Sequence, residues 1–258
     1  MVEVMSLAVV ENLVQADNAK SSLSAVREVA GVSQFLKQWL TPSPKFDLVT
    51  EQSPSRSEVE QYIGQKFEAS YGACLTEFLP LFLTMRCTDH LSASAGISLG
   101  SATEKFFLEQ YLDAPIEKEL APLCGESVRR EQLVEIGNLV ATTLGASRLM
   151  FILLASILNQ AGYDWMVFTA TKPLLRSLQK MGFETQLIAV AKPTRLDKNS
   201  NADWGSYYDN QPQVVAGRLS NAQAAVEARN LFNLVQNFYV SEIDSKVLEI
   251  RQLGRSDA

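Results

Sequence analysis

A single histidine, His90, stands in a chain of 258 residues, and that scarcity removes most hydrolytic and metal chemistry at the outset. A Ser-His-Asp or Cys-His pair would have to use it from a short polar turn, and a multi-histidine site cannot be assembled, so no metal is expected. Cysteine is almost as scarce: Cys74, Cys87 and Cys124 are odd in number and lack CxxC spacing. A disulfide framework and a thiolate zinc site are both excluded, and the three read as reduced core residues. Neither GxxxxGK[ST] nor GxGxxG occurs, which removes kinase and nicotinamide readings. Excess positive charge is missing too, because 23 Lys and Arg face 29 Asp and Glu for a net charge of −6. No broad positive field would gather a phosphate backbone, and no nucleic acid partner is expected. The longest uncharged apolar run, LMFILLASIL over 149–158, is about half the roughly 20 residues that span a bilayer, so no transmembrane segment is expected. MVEVMSLAVVENLVQ has no basic stretch ahead of its apolar residues and does not resemble a secretory signal. The expectation is a cytoplasmic protein.

What is present suffices for a sizeable core, since 47% of the residues are hydrophobic. Residues 1–40 carry helical periodicity and read as an N-terminal helical extension. TPSPKFDLVTEQSPSRS over 41–57, with three prolines and four serines, reads as a linker. The main domain then spans 58–217. SRSEVEQYIGQKFEASYGA predicts a helix ending near Gly72. FLPLFLTMRCT and LSASAGISLG around Asp89-His90 predict a hairpin. FFLEQYLD reads as a strand or turn, and APIEKELAPLCG as a short helix with Pro115 near its first turn. QLVEIGNLVA is a strand, SRLMFILLASILNQAG a buried helix closed by Gly162, YDWMVFTAT a strand, PLLRSLQKMG a helix and FETQLIAVAK a strand. Strands alternating with helices imply an α/β fold with a mixed sheet covered on both sides. Residues 218–258 read as a long C-terminal helical segment that packs on the core or pairs two subunits as a homodimer.

Several stretches carry chemistry. In ATTLGASR the small side chains of Gly145, Ala146 and Ser147 let a ligand approach the backbone where a helix begins, and Arg148 adds charge. A pyrophosphate suits such an end, though Gly145 serves equally to turn the chain and Ser147 to cap the helix. Glu135 shares a strand face with Gly137, opposite Val134 and Ile136. Partial burial there raises a carboxyl pKa and suits a general base for an amine nucleophile; pairing with Arg129, Arg130 or Arg148 accounts for it equally well. In DWGSYYDNQP, Trp204, Tyr207 and Tyr208 can wall a pocket, Asp203 and Asp209 can hold an ammonium group, and a phenol can protonate a leaving thiolate; an aromatic plug closing the sheet is the alternative. Thr169 and Thr171 lie at a strand end, where ligands of open α/β sheets bind, or reflect β-propensity alone. Glu109 and Tyr111 form a possible second wall, unless they are ordinary loop residues.

FLEQYLDAPIE (107–117), VEIGNLVA (134–141), MVFTATKPLLRSLQKMGF (166–183) and DWGSYYDNQPQVVAG (203–217) together resemble the thermostable hemolysin family, over roughly 58–217. The element order is similar to the GNAT acyltransferases, especially the acyl-homoserine lactone synthases and N-acyl amino acid synthases. That resemblance implies a three-layer fold with a mixed, partly splayed central sheet flanked by helices. It also implies an N-acyltransferase that moves an acyl group from acyl-CoA, or from the phosphopantetheine of an acyl carrier protein, to the amine of a small acceptor. Under it Glu135 assists the amine, and Asn138 lies at the splay, orienting the acceptor or polarising the thioester carbonyl, though it serves equally to cap a turn. Backbone groups of Leu139, Val140, Ala141 and Thr142 meet the carbonyl oxygen, with Gly145 to Arg148 on the cofactor. The acyltransferase signature has more glycine than LGASR and a Gln or Arg at the loop start. The family name itself suggests the other reading, a membrane-active lytic protein without enzymatic activity, which needs an inserting segment or a basic amphipathic helix.

Overall fold

One seven-stranded sheet organises the computed structural model, which describes residues 44–196 and 202–256. Its strands are β1 (Lys45–Val49), β2 (Leu81–Cys87), β3 (His90–Leu99), β4 (Leu133–Ala141), β5 (Trp165–Ala170), β6 (Gln186–Val190) and β7 (Gln213–Arg218), in the spatial order β1-β2-β3-β4-β5-β7-β6. Neighbours are antiparallel except β4 and β5, which run parallel. The helices are α1 (Arg56–Tyr71), α2 (Ile116–Cys124), α3 (Leu144–Ala161), α4 (Lys172–Lys180), α5 (Leu219–Glu227), α6 (Asn230–Phe238) and α7 (Val240–Ser256).

Alternation along the strands divides the core. Leu83, Met85, Ala95, Ile97, Val134, Ile136, Met166 and Phe168 share one buried cluster with α3, whose residues from Met150 to Leu158 are nearly all inaccessible. A helix apolar all round must be enclosed on every side, and α5, α6 and α7 complete that enclosure. The opposite face is covered in two patches. Leu133, Trp165 and Val167 lie under α2 and the turn Phe107–Tyr111, while Phe82 and Val140 lie under α1 through Val59 and Ile63. This is the mixed, three-layer arrangement that the GNAT-like resemblance implies.

Three expectations change, and one strand appears where none was expected. The stretch 41–57 is no simple linker, because KFDLV forms β1 and pairs with β2 along its whole length; the prolines and serines flank a strand whose Phe46 and Val49 are buried. QVVAGR forms β7, inserted between β5 and β6. The C-terminal segment is three helices rather than one, and it buries Val235, Ile243, Val247 and Ile250 in the main core. The cysteines are free, but none is fully buried: Cys74 is exposed, Cys87 is half-buried, and Cys124 is half-buried against the core patch under α2. The expected extension over 1–40 lies outside the described residues.

Candidate active site

The parallel pair β4 and β5 stays together only from Leu133–Trp165 to Ile136–Phe168, although β4 continues to Ala141 and β5 to Ala170. Beyond Ile136 the β5-facing backbone of β4 has no ladder partner among the described residues. A bulge sits at the same level: β3 advances two residues, from Ser94 to Gly96, while β4 covers three, from Val140 to Gly137. Asn138 takes the irregular position with φ 47°, a left-handed conformation that Asn tolerates better than most residues. A cleft of about 790 Å³ opens at this divergence. Its lining includes Glu135 and Gly137 from one face of the sheet and Ile136, Phe151 and Phe168 from the other, so it passes between the two strands.

Glu135 lies at the root of the divergence, on the face opposite Val134 and Ile136, and is 3% exposed. None of the suggested arginines pairs with it. Its Oε2 accepts the Phe107 N–H at 2.7 Å and its Oε1 the Leu108 N–H at 2.9 Å. Burial penalises the carboxylate more than those two amides favour it, and the pKa is pushed up to about 8. Arg130 instead holds Glu109 at 2.5 and 2.9 Å, with Glu117 at 3.1 Å. Burial opposes ionisation of Glu109, but Arg130 and the N–H groups of Ile116 and Phe106 keep its carboxyl below the usual range. Glu109 is thereby committed to holding the turn Phe107–Tyr111 and does not line the cleft. It is a support for the two amides that grip Glu135, which the sequence reading missed because those amides lie 27 and 28 positions away.

The aromatic stretch reaches the cleft in part. Trp204 and Tyr207 line it, with ring centroids 5.4 Å apart, and Trp204 also packs on Phe107 at 6.0 Å. Tyr111 lines it too and shares a 2.6 Å hydroxyl contact with Tyr208, which itself stands behind the wall. Burial raises the pKa of all three tyrosines, so they stay protonated donors. Thr169 and Thr171 line the cleft. Asp203 and Asp209 do not: both are exposed, and Asp203 Oδ1 accepts the Gly205 N–H at 2.9 Å while its backbone bridges Cys74. Ser98, opposite Glu135 on β3 and 8% exposed, also lines the cleft and was not foreseen.

At the cofactor end, Leu139, Val140 and Ala141 line the cleft, whereas Thr142 is exposed and bonds Tyr62 at 3.1 Å. LGASR is not a loop but the first turn of α3 and its continuation, capped by Thr143, whose Oγ1 accepts the Ala146 N–H at 3.1 Å. The expected Ser147 cap is therefore corrected: Ser147 N–H bonds the Thr143 carbonyl at 3.1 Å. The first N–H groups of a helix have no acceptor within it, and the Thr143 cap takes up only that of Ala146. Arg148 Nε is buried without a hydrogen-bond partner among the described residues, and burial lowers its guanidinium pKa. No group of three His, Cys, Asp or Glu among the described residues is disposed to hold a metal ion. A second, more open groove of about 940 Å³ at Arg176, Gln186 and Arg218 contains none of the expected residues.

Among solved structures, the chain is similar to the AHL synthase LasI at 9% identity and a TM-score of 0.49, over 72% of this chain and 95% of that one. It is similar to FeeM, an N-acyl amino acid synthase from uncultured soil microbes, at 14% identity and a TM-score of 0.47, over 71% and 95%. A third is BjaI, a CoA-dependent acyl-homoserine lactone synthase with SAM and isopentyl-CoA, at 6% identity and a TM-score of 0.46, over 72% and 89%. No curated protein matches in sequence. The family description "Thermostable hemolysin" matches residues 49–223, well over half of the sequence, and the chain belongs to that family.

Proposed function

We propose that the protein is a GNAT-like N-acyltransferase that moves an acyl group from an acyl thioester to the amine of a small acceptor. The observation that carries this reading is the divergence of β4 from β5 with a nearly inaccessible, two-amide-held carboxyl at its root. A thioester lying along the free edge of β4 has its carbonyl oxygen beside the unladdered backbone of Leu139 to Ala141, where N–H groups stabilise developing negative charge. The ionised form of Glu135, which gains population as pH rises toward 8, accepts the proton of the attacking amine; the new C–N bond forms as the C–S bond breaks, and the thiolate leaves. Tyr207, kept protonated by burial, donates to the departing sulfur. Trp204, Tyr111, Thr169 and Thr171 bound the acceptor. The apolar far side of the cleft, at Ile136, Phe151 and Phe168, takes the acyl chain and argues for a chain longer than acetyl.

The donor's phosphate end belongs at the α3 N-terminus, on the N–H groups of Leu144 and Gly145, with Arg148 supplying charge. Because Thr143 already satisfies the Ala146 N–H, this cradle is smaller than a glycine-rich one, which suits the single phosphate of a carrier-bound phosphopantetheine as well as coenzyme A. The product, an N-acyl amide, is surfactant-like, and such a product would lyse membranes, as the family description implies, without a protein pore. No helix among the described residues is long and apolar enough to cross a membrane, and α7 buries its apolar stripe on the core.

Thermal-shift titration with acetyl-, octanoyl- and palmitoyl-CoA tests the reading. The melting shift should grow with chain length in the wild type and vanish in Gly145→Glu. Glutamate in a first helical turn is favoured by the helix dipole, so that loss would not reflect unfolding. Equal melting temperatures with and without each acyl-CoA would remove coenzyme A as the donor, and the same result with an octanoyl- or palmitoyl-carrier protein would sink the proposal.

A further inference from the structure

Arg56 was given no functional role in the sequence, yet its side chain outside the cleft is held by several partners. Its side chain is 12% exposed. Nη1 donates to the Pro80 carbonyl and Nη2 to the Leu79 carbonyl, both at 2.9 Å, and Nε donates to Glu60 at 2.6 Å. The guanidinium plane stands 4.1 Å from the Phe82 ring centroid. From the other side, the Leu79 N–H donates to Asn138 Oδ1 at 2.9 Å. One peptide segment is thus gripped at both ends, by the first residue of α1 and by the bulge residue of β4.

The ground beneath that segment is shaped for it. Gly96 and Gly137 are directly paired across β3 and β4. A Cβ on Gly137 would come 3.0 Å from Leu79 Cδ1, and one on Gly96 would come 3.0 Å from Asn138 Oδ1 and 3.1 Å from Leu79 Cβ. Two missing side chains on adjoining strands let Leu79 lie on the sheet and let the Asn138 amide fold back to it. Phe78, Leu79, Pro80 and Asn138 all line the cleft, and α1 contributes Lys66, Phe67 and Tyr71 farther along its length.

We infer that Arg56 is a positioning residue for the thioester: it sets the Leu79 segment, the segment sets the Asn138 bulge, and the bulge aims the backbone of Leu139 to Ala141 at the carbonyl. The inference rests on the acyltransferase reading above but concerns a residue that touches no substrate. A guanidinium fits the task because it reaches two successive carbonyls with a rigid fork, which an ammonium cannot do.

The test compares the full-length wild type with Arg56→Ala, Arg56→Lys and, as a control that removes a different α1 ion pair, Glu58→Ala, which loses the contact to Arg86. Octanoyl-CoA affinity is measured by calorimetry well below each melting temperature, and deuterium exchange is followed in the 76–80 peptide. Arg56→Ala should weaken octanoyl-CoA binding about tenfold or more, a difference of roughly 1.4 kcal/mol, and should speed exchange at 76–80 but not in β2 or β3. Arg56→Lys should fall between, millimolar guanidinium should partly restore Arg56→Ala, and Glu58→Ala should bind as the wild type does. If the wild type binds and Arg56→Ala binds equally well, the positioning role is wrong while the acyltransferase reading stands. If the wild type binds no thioester, that reading fails and takes this inference with it.

Discussion

Glu135 accepts two backbone N–H bonds in a site almost closed to water, and the opposing effects leave it protonated up to about pH 8. The same carboxyl in the unfolded chain loses its proton near pH 4.3. Between those limits the folded protein binds more protons than the unfolded one, so this residue's effect on stability is absent below about pH 4 and grows unfavourable as pH rises, complete above about pH 8. Its removal should therefore stabilise the protein most in alkali. Glu135→Gln, which mimics the neutral acid, should gain on the order of a few kcal/mol on the wild type between pH 5 and pH 9; chemical unfolding at those two pH values measures it, and a constant difference would contradict the burial argument. The face that Glu135 occupies was legible from β alternation in QLVEIGNL. Its partners were not, because Phe107 and Leu108 meet it through backbone atoms that no side-chain pattern reports.

At the scale of elements, start signals were read better than where they act. The small residues of LGASR and the apolar run after them pointed to a helix N-terminus, and one exists, but the cap is Thr143. Ser147 was the cap offered beside the phosphate reading, but a cap needs an extended backbone, and Thr143, at φ −137° and ψ 158°, has it. Thr143→Ala should cost about 1 kcal/mol, lowering the melting temperature by about 2–4 °C for a domain of this size, as scanning calorimetry would register. The hairpin of β2 and β3 and helices α1, α3 and α4 carry their own periodicity and turn chemistry, which is why they were readable. Strands β1 and β7 were not, because each is short and flanked by proline or polar turn residues, and only pairing with β2, or with β5 and β6, makes it a strand.

Across the whole molecule, the sheet separates two tasks. One face is a closed apolar core built on α3, and the other is covered in two patches that leave a gap over β4. That gap, the strand divergence and the bulge coincide, so the fold presents a buried carboxyl, free backbone and a passage between strands in one place. The C-terminal helices belong to this architecture: α7 packs Ile243, Val247 and Ile250 inward and leaves Val240 and Leu248 exposed. The measurement that tests the account most directly is mass-spectrometric detection of amide product after incubating the protein with octanoyl-CoA and a mixture of amino acids and small amines, with vesicle leakage recorded in parallel. The account predicts an N-octanoyl amide, its formation reduced about 10²–10⁴-fold by Glu135→Gln, and no leakage from protein alone. Amide formation unaffected by Glu135→Gln, or vesicle leakage by protein alone with no amide formed, would contradict it.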